Sequence, residues 1–358
     1  MTDIWTSLKL GKLELKNRLV MAPMTRSRAA PSGVPGPLAA TYYAHRAGVG
    51  LLISEGTQPS DQGQGYILTP GIYTDAHVEG WKRITAAVHQ AGSRLFIQLM
   101  HVGRMSHPDN VPDGAEAVAP SAIAPGVQMF TAEGMKPIPV PKALSIEEIG
   151  ASVDDHRRAA IRAIEAGADG IEIHGANGYL IQQFIAPNAN QRDDAYGGTI
   201  ENRARYAVEV AAAVADAIGP ERTGIRLSPG GGLGGLDEGP EGPTLYRHLV
   251  PELNRLGLAY LHIVHAGDET LLAHLRAAWD QVLIVNRPGR VREDIGSDIA
   301  AGLADLESFG QFALANPDFA DRLRAGAAFN PAHRASFFGG GAEGYTDYPI
   351  LNGKAGTT

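Results

Sequence analysis

Residues 145–179 read SIEEIGASVDDHRRAAIRAIEAGADGIEIHGANGY and hold one complete structural unit of the chain. Ser145, followed three positions later by Glu148, has the spacing of a capping box, in which each side chain satisfies a backbone N–H at the start of a helix. Helical spacing of the apolar residues then runs to Ala166. The AGAD at 166–169 stops that helix, and its glycine feeds a short apolar strand over Gly170 to His174.

The same unit recurs outward in both directions. Short apolar, often β-branched runs predict strands at Arg18 to Ala22, Leu51 to Glu55, Arg94 to Met100, Gly170 to His174, Thr223 to Leu227, Ala259 to Val264, Val282 to Val285 and Glu307 to Phe312. Most are continuously apolar rather than alternating, as expected of parallel strands covered on both faces. Between them, helical patterns occupy Asp75 to Ala91, Ser145 to Ala166, Ile200 to Ile218, Thr244 to Leu256, Thr270 to Trp279 and Pro317 to Ala325. An α/β fold follows, read as a (β/α)₈ TIM barrel in a single domain over 1–358, with a doubly wound open sheet as its competitor. The 44 glycines gather at the ends of the apolar runs, which suits a chain with many tight strand-to-helix turns. Ser106 to Lys142 interrupts the alternation with prolines and glycines, and reads as a long loop after the third strand, either a lid over the barrel mouth or a surface excursion.

Composition narrows the function. The 358 residues are 44% hydrophobic and 20% charged, which excludes a disordered or fibrous chain. With 31 basic against 39 acidic residues the net charge is −8, and no basic run offers a footprint for nucleic acid or an anionic membrane. The absence of cysteine excludes disulfides, thiolate metal sites and cysteine nucleophiles. The amino terminus has no hydrophobic signal core, and no apolar run approaches the roughly 18 residues of a membrane span, so the expected location is cytoplasmic.

In a barrel, chemistry gathers where strands end. Five predicted strand ends carry polar groups: Thr25 in PMTR, Gly56 in EGT, Gln98 in IQLMHVGR, His174 with Asn177 and Tyr179 in HGANGY, and Arg226 in GIRLSP. Singly, each has a structural explanation: Thr25 can cap a segment, Gln98 satisfy a buried backbone group and Arg226 pair with Glu172 on the next strand. Together, a hydroxyl, an amide, a guanidinium, an imidazole and a phenol at one mouth suit a polar planar ring and a carbonyl. Other patterns carry less. The G-x-G-x-x-G of Gly230, Gly232 and Gly235 precedes two prolines rather than a helix, so it is read as a barrel loop. His262 and His265 lie three apart on a strand and point to opposite faces, while His101 and His107 are read as loop histidines near the lid; no metal site is expected.

The segment HGANGYLIQQFIAPNANQRDDAYGGTIENRARY (174–206) resembles the Old Yellow Enzyme family of FMN-dependent ene-reductases. So do NRLVMAPMTRSRA (17–29), LLISEGTQPSDQGQGY (51–66), IQLMHVGRMSH (97–107) and FFGGGAEGYTDYP (337–349), in the family's order along essentially the whole chain. The resemblance implies FMN lying non-covalently across the barrel mouth. On matching positions, Thr25 would hydrogen-bond the flavin O4, with Pro23, Met24 and Gly56 along the same edge. Gln98 would meet the pyrimidine edge, and Arg226 would place positive charge near N1. His174 and Asn177 match the pair that donates to the substrate oxygen, Tyr179 matches the proton donor, and Tyr66, Met100 and Tyr345 would complete the substrate pocket.

Two departures stand out. Met100 occupies a position where many members have tryptophan, which widens or softens that side of the pocket. Relatives often bind the FMN phosphate with a Gly-Gly pair and a Gly-Arg pair, whereas these stretches read VNRPGR and FGQF. Gly310 then remains, Gln311 replaces the arginine, and Arg287, in preference to Arg290, is expected to supply the charge. The implied activity is NAD(P)H-dependent reduction of activated alkenes (α,β-unsaturated carbonyls, maleimides, nitro compounds) in two half-reactions. Alternatives are nitrate-ester or nitroaromatic reduction at the same site, an amine or fatty-acyl oxidoreductase of the wider family, and a flavin-binding sensor or partner module without turnover. The amine and fatty-acyl relatives usually carry an iron-sulfur domain that a chain without cysteine cannot hold. A small-molecule alkene is the expected partner, with a homo-oligomer left open.

Overall fold

Residues along each short strand alternate between two environments, and this alternation generates the architecture. In the computed structural model, which describes residues 3–351, eight parallel strands close on themselves. They are β1 Leu19–Met21, β2 Leu51–Ile53, β3 Arg94–Leu99, β4 Gly170–Gly175, β5 Thr223–Leu227, β6 Tyr260–Val264, β7 Val282–Asn286 and β8 Leu306–Phe309, with β8 pairing back onto β1. The closed ring is the (β/α)₈ barrel and leaves no open-sheet edge. The ends of the 1–358 span lie outside the described residues.

Leu51 and Ile53 of β2 join Val20, Phe96, Tyr260 and Ile284 from other strands in one apolar cluster, whereas Leu52 between them belongs to the larger cluster shared with the helices. The first cluster fills the barrel interior. It also takes in Leu10 and Leu15 of an antiparallel hairpin, Leu8–Leu10 with Leu13–Leu15, which plugs the end where the strands begin.

The outer ring comprises α1 Leu38–His45, α2 Asp75–Gln90, α3 Ile146–Glu165, α4 Ile200–Ile218, α5 Gly242–Asn254, α6 Glu269–Ala277, α7 Ser297–Ala300 and α8 Phe319–Arg324. The helices read from sequence correspond to α2 through α6 and α8, with boundaries shifted by a turn or less. α1 begins at Pro37 without a side-chain cap and α7 is a single turn, so neither leaves a signature. None of the described helices is long and apolar enough to cross a membrane.

The capping box of α3 is formed: Ser145 Oγ accepts from Glu148 N at 3.1 Å, and Glu148 Oε2 accepts from Ser145 N at 2.8 Å. Ser145→Ala should therefore lower unfolding free energy by about 1 kcal/mol. A urea midpoint unchanged from the parent would show that the box contributes nothing.

Two expectations need correction. The last strand ends at Phe309 rather than 312, because Gly310 leaves the extended conformation and starts a short helix, Gln311–Ala315. The 106–142 insertion is not structureless: Gln128–Thr131 pairs with Gly134–Pro137 as a hairpin, and Val118–Ala119 pairs with Lys142–Ala143.

Candidate active site

The carboxyl ends of the strands surround a cavity of about 960 Å³. Its floor and rim come from Pro23, Met24 and Thr25 beyond β1, Gly56 beyond β2, Gln98 and Met100 at the end of β3, His174, Asn177 and Tyr179 from β4 onward, and Gly310 and Gln311 beyond β8. A side chain at Gly56 would place its Cβ 2.4 Å from Met100 Sδ, so glycine keeps this part of the rim flat. Tyr66 joins the wall as expected of its position. The rest of the wall was not singled out from the sequence: Ser27, Ile67 and Met105, Gln128, Met129 and Phe130 of the lid hairpin, and Leu314, Phe337, Phe338 and Gly339. Their signal was present in part, since the lid and the FFGGG stretch were both recognisable without pointing at any one side chain.

Beneath the cavity, polar side chains alternate with the apolar residues that face the helices. Gln98 Nε2 donates to Glu172 Oε1 at 2.8 Å, His262 Nδ1 lies 2.8 Å from Glu172 Oε2, and His262 Nε2 lies 2.8 Å from Ser308 Oγ. Burial, reinforced by Arg226, pushes His262 down to about 4, so the imidazole is neutral at pH 7. It therefore donates from Nδ1 to the carboxylate and accepts the Ser308 hydroxyl at Nε2. Burial opposes the charge on Glu172, but the donors around it and Arg226 outweigh that cost and hold it below the usual carboxylate value.

Arg226 sits level with His174 on one side and His262 on the other in the sheet register. It is 5% exposed, and its Nε and Nη1 have no partner among the described residues. A buried guanidinium with two unsatisfied donors costs free energy unless a ligand acceptor reaches it.

His174 is buried, and burial first, then the Arg226 charge, hold it well below its ordinary value. Its Nδ1 lies 3.2 Å from the Ala176 N–H. The ring is thus neutral with the proton on Nε2, a donor. Asn177 follows on left-handed backbone with φ 57°, its N–H donating to Ser228 Oγ at 2.9 Å. The Tyr179 ring stands edge-on to His174 with centroids 5.0 Å apart, and its hydroxyl donates to Tyr66 Oη at 3.0 Å. Burial, then the neighbouring Tyr66, raise the Tyr179 phenol well above its usual value, so it remains protonated at neutral pH. An amide, a neutral imidazole donor and a phenolic acid thus share one largely apolar cavity that opens to solvent.

Several expected contacts lie elsewhere. Tyr345 does not reach the cavity: it stacks on Tyr42 at 4.2 Å between the Arg26 and Arg28 guanidinium groups, a structural pillar rather than a substrate contact. Arg287 turns away from the cavity because Asp298 and Glu269 capture it, with Nε 2.8 Å from Asp298 Oδ2 and Nη2 3.0 Å from Glu269 Oε2. His101 lies in the loop that follows β3, as read from the sequence. It is buried against His156 with ring centroids 6.2 Å apart, and burial pushes it down to about 3. Gly230 to Gly235 form a loop and a single 3-10 turn after β5, with no helix at the third glycine.

Residues 3–330 match the NADH:flavin oxidoreductase / NADH oxidase family. The chain is 41% identical over 355 residues to a probable flavin mononucleotide-dependent alkene reductase of Leishmania infantum, covering 96% of each. It superposes on morphinone reductase in complex with tetrahydroNAD with a TM-score of 0.94 at 44% identity, covering 98% of each chain. It superposes equally, TM-score 0.94, on the old yellow enzyme homologue from Zymomonas mobilis at 38% identity, covering 98% of this chain and all of the other. With the closed barrel, these likenesses establish that the chain belongs to the Old Yellow Enzyme type of the NADH:flavin oxidoreductase family.

Proposed function

We propose that this protein reduces the C=C bond of bulky, apolar alkenes activated by a carbonyl or nitro group, with NAD(P)H and the alkene using the FMN-bearing cavity in turn. The carrying observation is the trio His174, Asn177 and Tyr179 on one cavity wall. The ring end of FMN fits the residues present: Arg226 keeps two buried donors without partners, and Gln98 has one amide proton fixed by Glu172, leaving its remaining polar groups for a ligand. Thr25, Gly56, Gln98 and Arg226 would hold it, and when bound it supplies the hydride.

The residues of this chain do the rest. His174 Nε2–H and the Asn177 amide are donors for one substrate oxygen, where negative charge accumulates as the β-carbon is reduced. Tyr179 holds the proton destined for the α-carbon, and its raised affinity keeps that proton in place until carbanion character develops. Met100, Met105, Met129, Phe130 and Phe338 give the remaining walls a soft apolar character, suited to a large hydrocarbon substituent on the activated alkene.

A phenol mimics the substrate oxygen. Titration of the purified yellow protein with a phenol should produce a broad long-wavelength absorption, from an electron-rich phenolate held against the flavin. A colourless protein that takes up no added FMN, or a flavoprotein whose spectrum ignores phenols, would overturn the proposal.

A further inference from the structure

No arginine or lysine lines the cavity among the described residues; its polar groups are hydroxyls, amides and the neutral His174. Arg226, level with His174 in the sheet register, would be engaged at the ring end on the reading above. Behind the Phe337–Gly339 wall, Arg28 spends its guanidinium on carbonyl oxygens of Ser336, Gly341 and Glu343, at 3.0, 3.1 and 3.1 Å.

A second cleft of about 450 Å³, beyond β7, holds Arg287 and Arg290. There two guanidinium groups meet three carboxylates. Arg287 is clamped by Asp298 and Glu269, while Arg290 pairs with Asp298 and lies 2.5 Å from Glu307 Oε2. His265 adds no charge, because burial and the adjacent Arg287 lower its proton affinity. Glu307 is fully buried and anchored by the Gly296 and Asp298 N–H groups at 2.7 and 3.0 Å, so this network is built into the barrel wall. A phosphate dianion approaching this cleft meets excess negative charge.

We infer that the protein recognises its flavin through the ring and ribityl chain and not through the phosphate, so that riboflavin occupies the site almost as well as FMN. The inference rests on the flavin reading above. A dedicated phosphate site commonly sets a cationic side chain, often a bidentate arginine, against the anion. Here the exposed Gln311 stands on the rim instead, a neutral side chain beside Gly310.

The FMN-loaded full-length protein, equilibrated with graded riboflavin and analysed for bound flavins after filtration, gives the affinity ratio directly. Half-exchange is expected below about a tenfold excess of riboflavin over free FMN, since no contact between phosphate and a cationic side chain is lost. A requirement for tenfold or more would overturn the inference. Gln311→Arg should raise the preference for FMN at least about tenfold by restoring such a contact, and no rise would count against it. Arg287→Ala should leave the preference within about twofold, because its charge is already spent on carboxylates; a larger fall would return the phosphate to Arg287. Protein that holds neither flavin would overturn the FMN reading itself, and this inference with it.

Discussion

Replacing His174 and Asn177 together with alanine should slow alkene reduction by roughly 10³-fold, since a single lost oxyanion donor costs about 10²–10³ where it has been measured. On the proposed reading the two serve one oxygen, so their single effects need not add. Phenol binding should weaken in parallel, while flavin content stays near that of the parent, because neither side chain belongs to the Thr25, Gln98 and Arg226 group. At Asn177 the contact to Ser228 is made by backbone N–H and survives, so the structural loss is that of placing alanine at φ 57°, about 1–2 kcal/mol at most. At position 174 the variant forfeits the contact from Ala176 N–H. Steady-state reduction of cyclohexenone within tenfold of the parent would move substrate activation to another part of the cavity.

Tyr179→Phe removes one hydroxyl and leaves the ring packed edge-on to His174. In stopped-flow experiments, reduction of the bound flavin by NADPH should be nearly normal, whereas reoxidation by cyclohexenone should fall by about 10² or more, the scale of a lost general acid. Nitroalkenes should suffer less, because a nitronate is stable enough to leave before it is protonated. Burial places the Tyr179 phenol well above its usual value, so its acidic form persists through neutral and mildly alkaline pH. The parent's alkene half-reaction should accordingly be flat between pH 6 and about 9, the interval below an ordinary tyrosine. Equal losses in both half-reactions would make the tyrosine a positioning residue.

Much of this architecture was legible because helix starts and stops are local events. Ser145, Glu148 and Gly167 announce α3 and its end without reference to the rest of the chain. The interior of the barrel was less so. Gln98, Glu172, Arg226 and His262 each lie between two apolar neighbours, but those neighbours are buried against helices, so the strands read as continuously apolar and hid the period of two. The hairpin within the insertion was masked by Gly134, Lys136 and Pro137, poor strand formers held in place by their partners. Tyr345 and Arg287 were misplaced for another reason. Chain order puts both near the mouth, but which way each side chain turns depends on Tyr42 and on Asp298 and Glu269, partners that local spacing does not reveal.

The left-handed backbone at residue 177 restricts which amino acids the position can hold. At φ 57° a β-branched side chain is strained, and the residues that tolerate the position best are glycine, asparagine, aspartate and histidine. Glycine has nothing to donate. Aspartate, ionised, presents only acceptors and would repel an oxygen gaining negative charge. Asparagine and neutral histidine combine the tolerated backbone with an N–H to offer. His174 lies on the extended backbone of β4 and faces no such filter. The two neighbouring donors therefore differ in mutational freedom: drift among donor types can be accommodated at 174, whereas the alphabet open to 177 is close to two letters, asparagine and histidine.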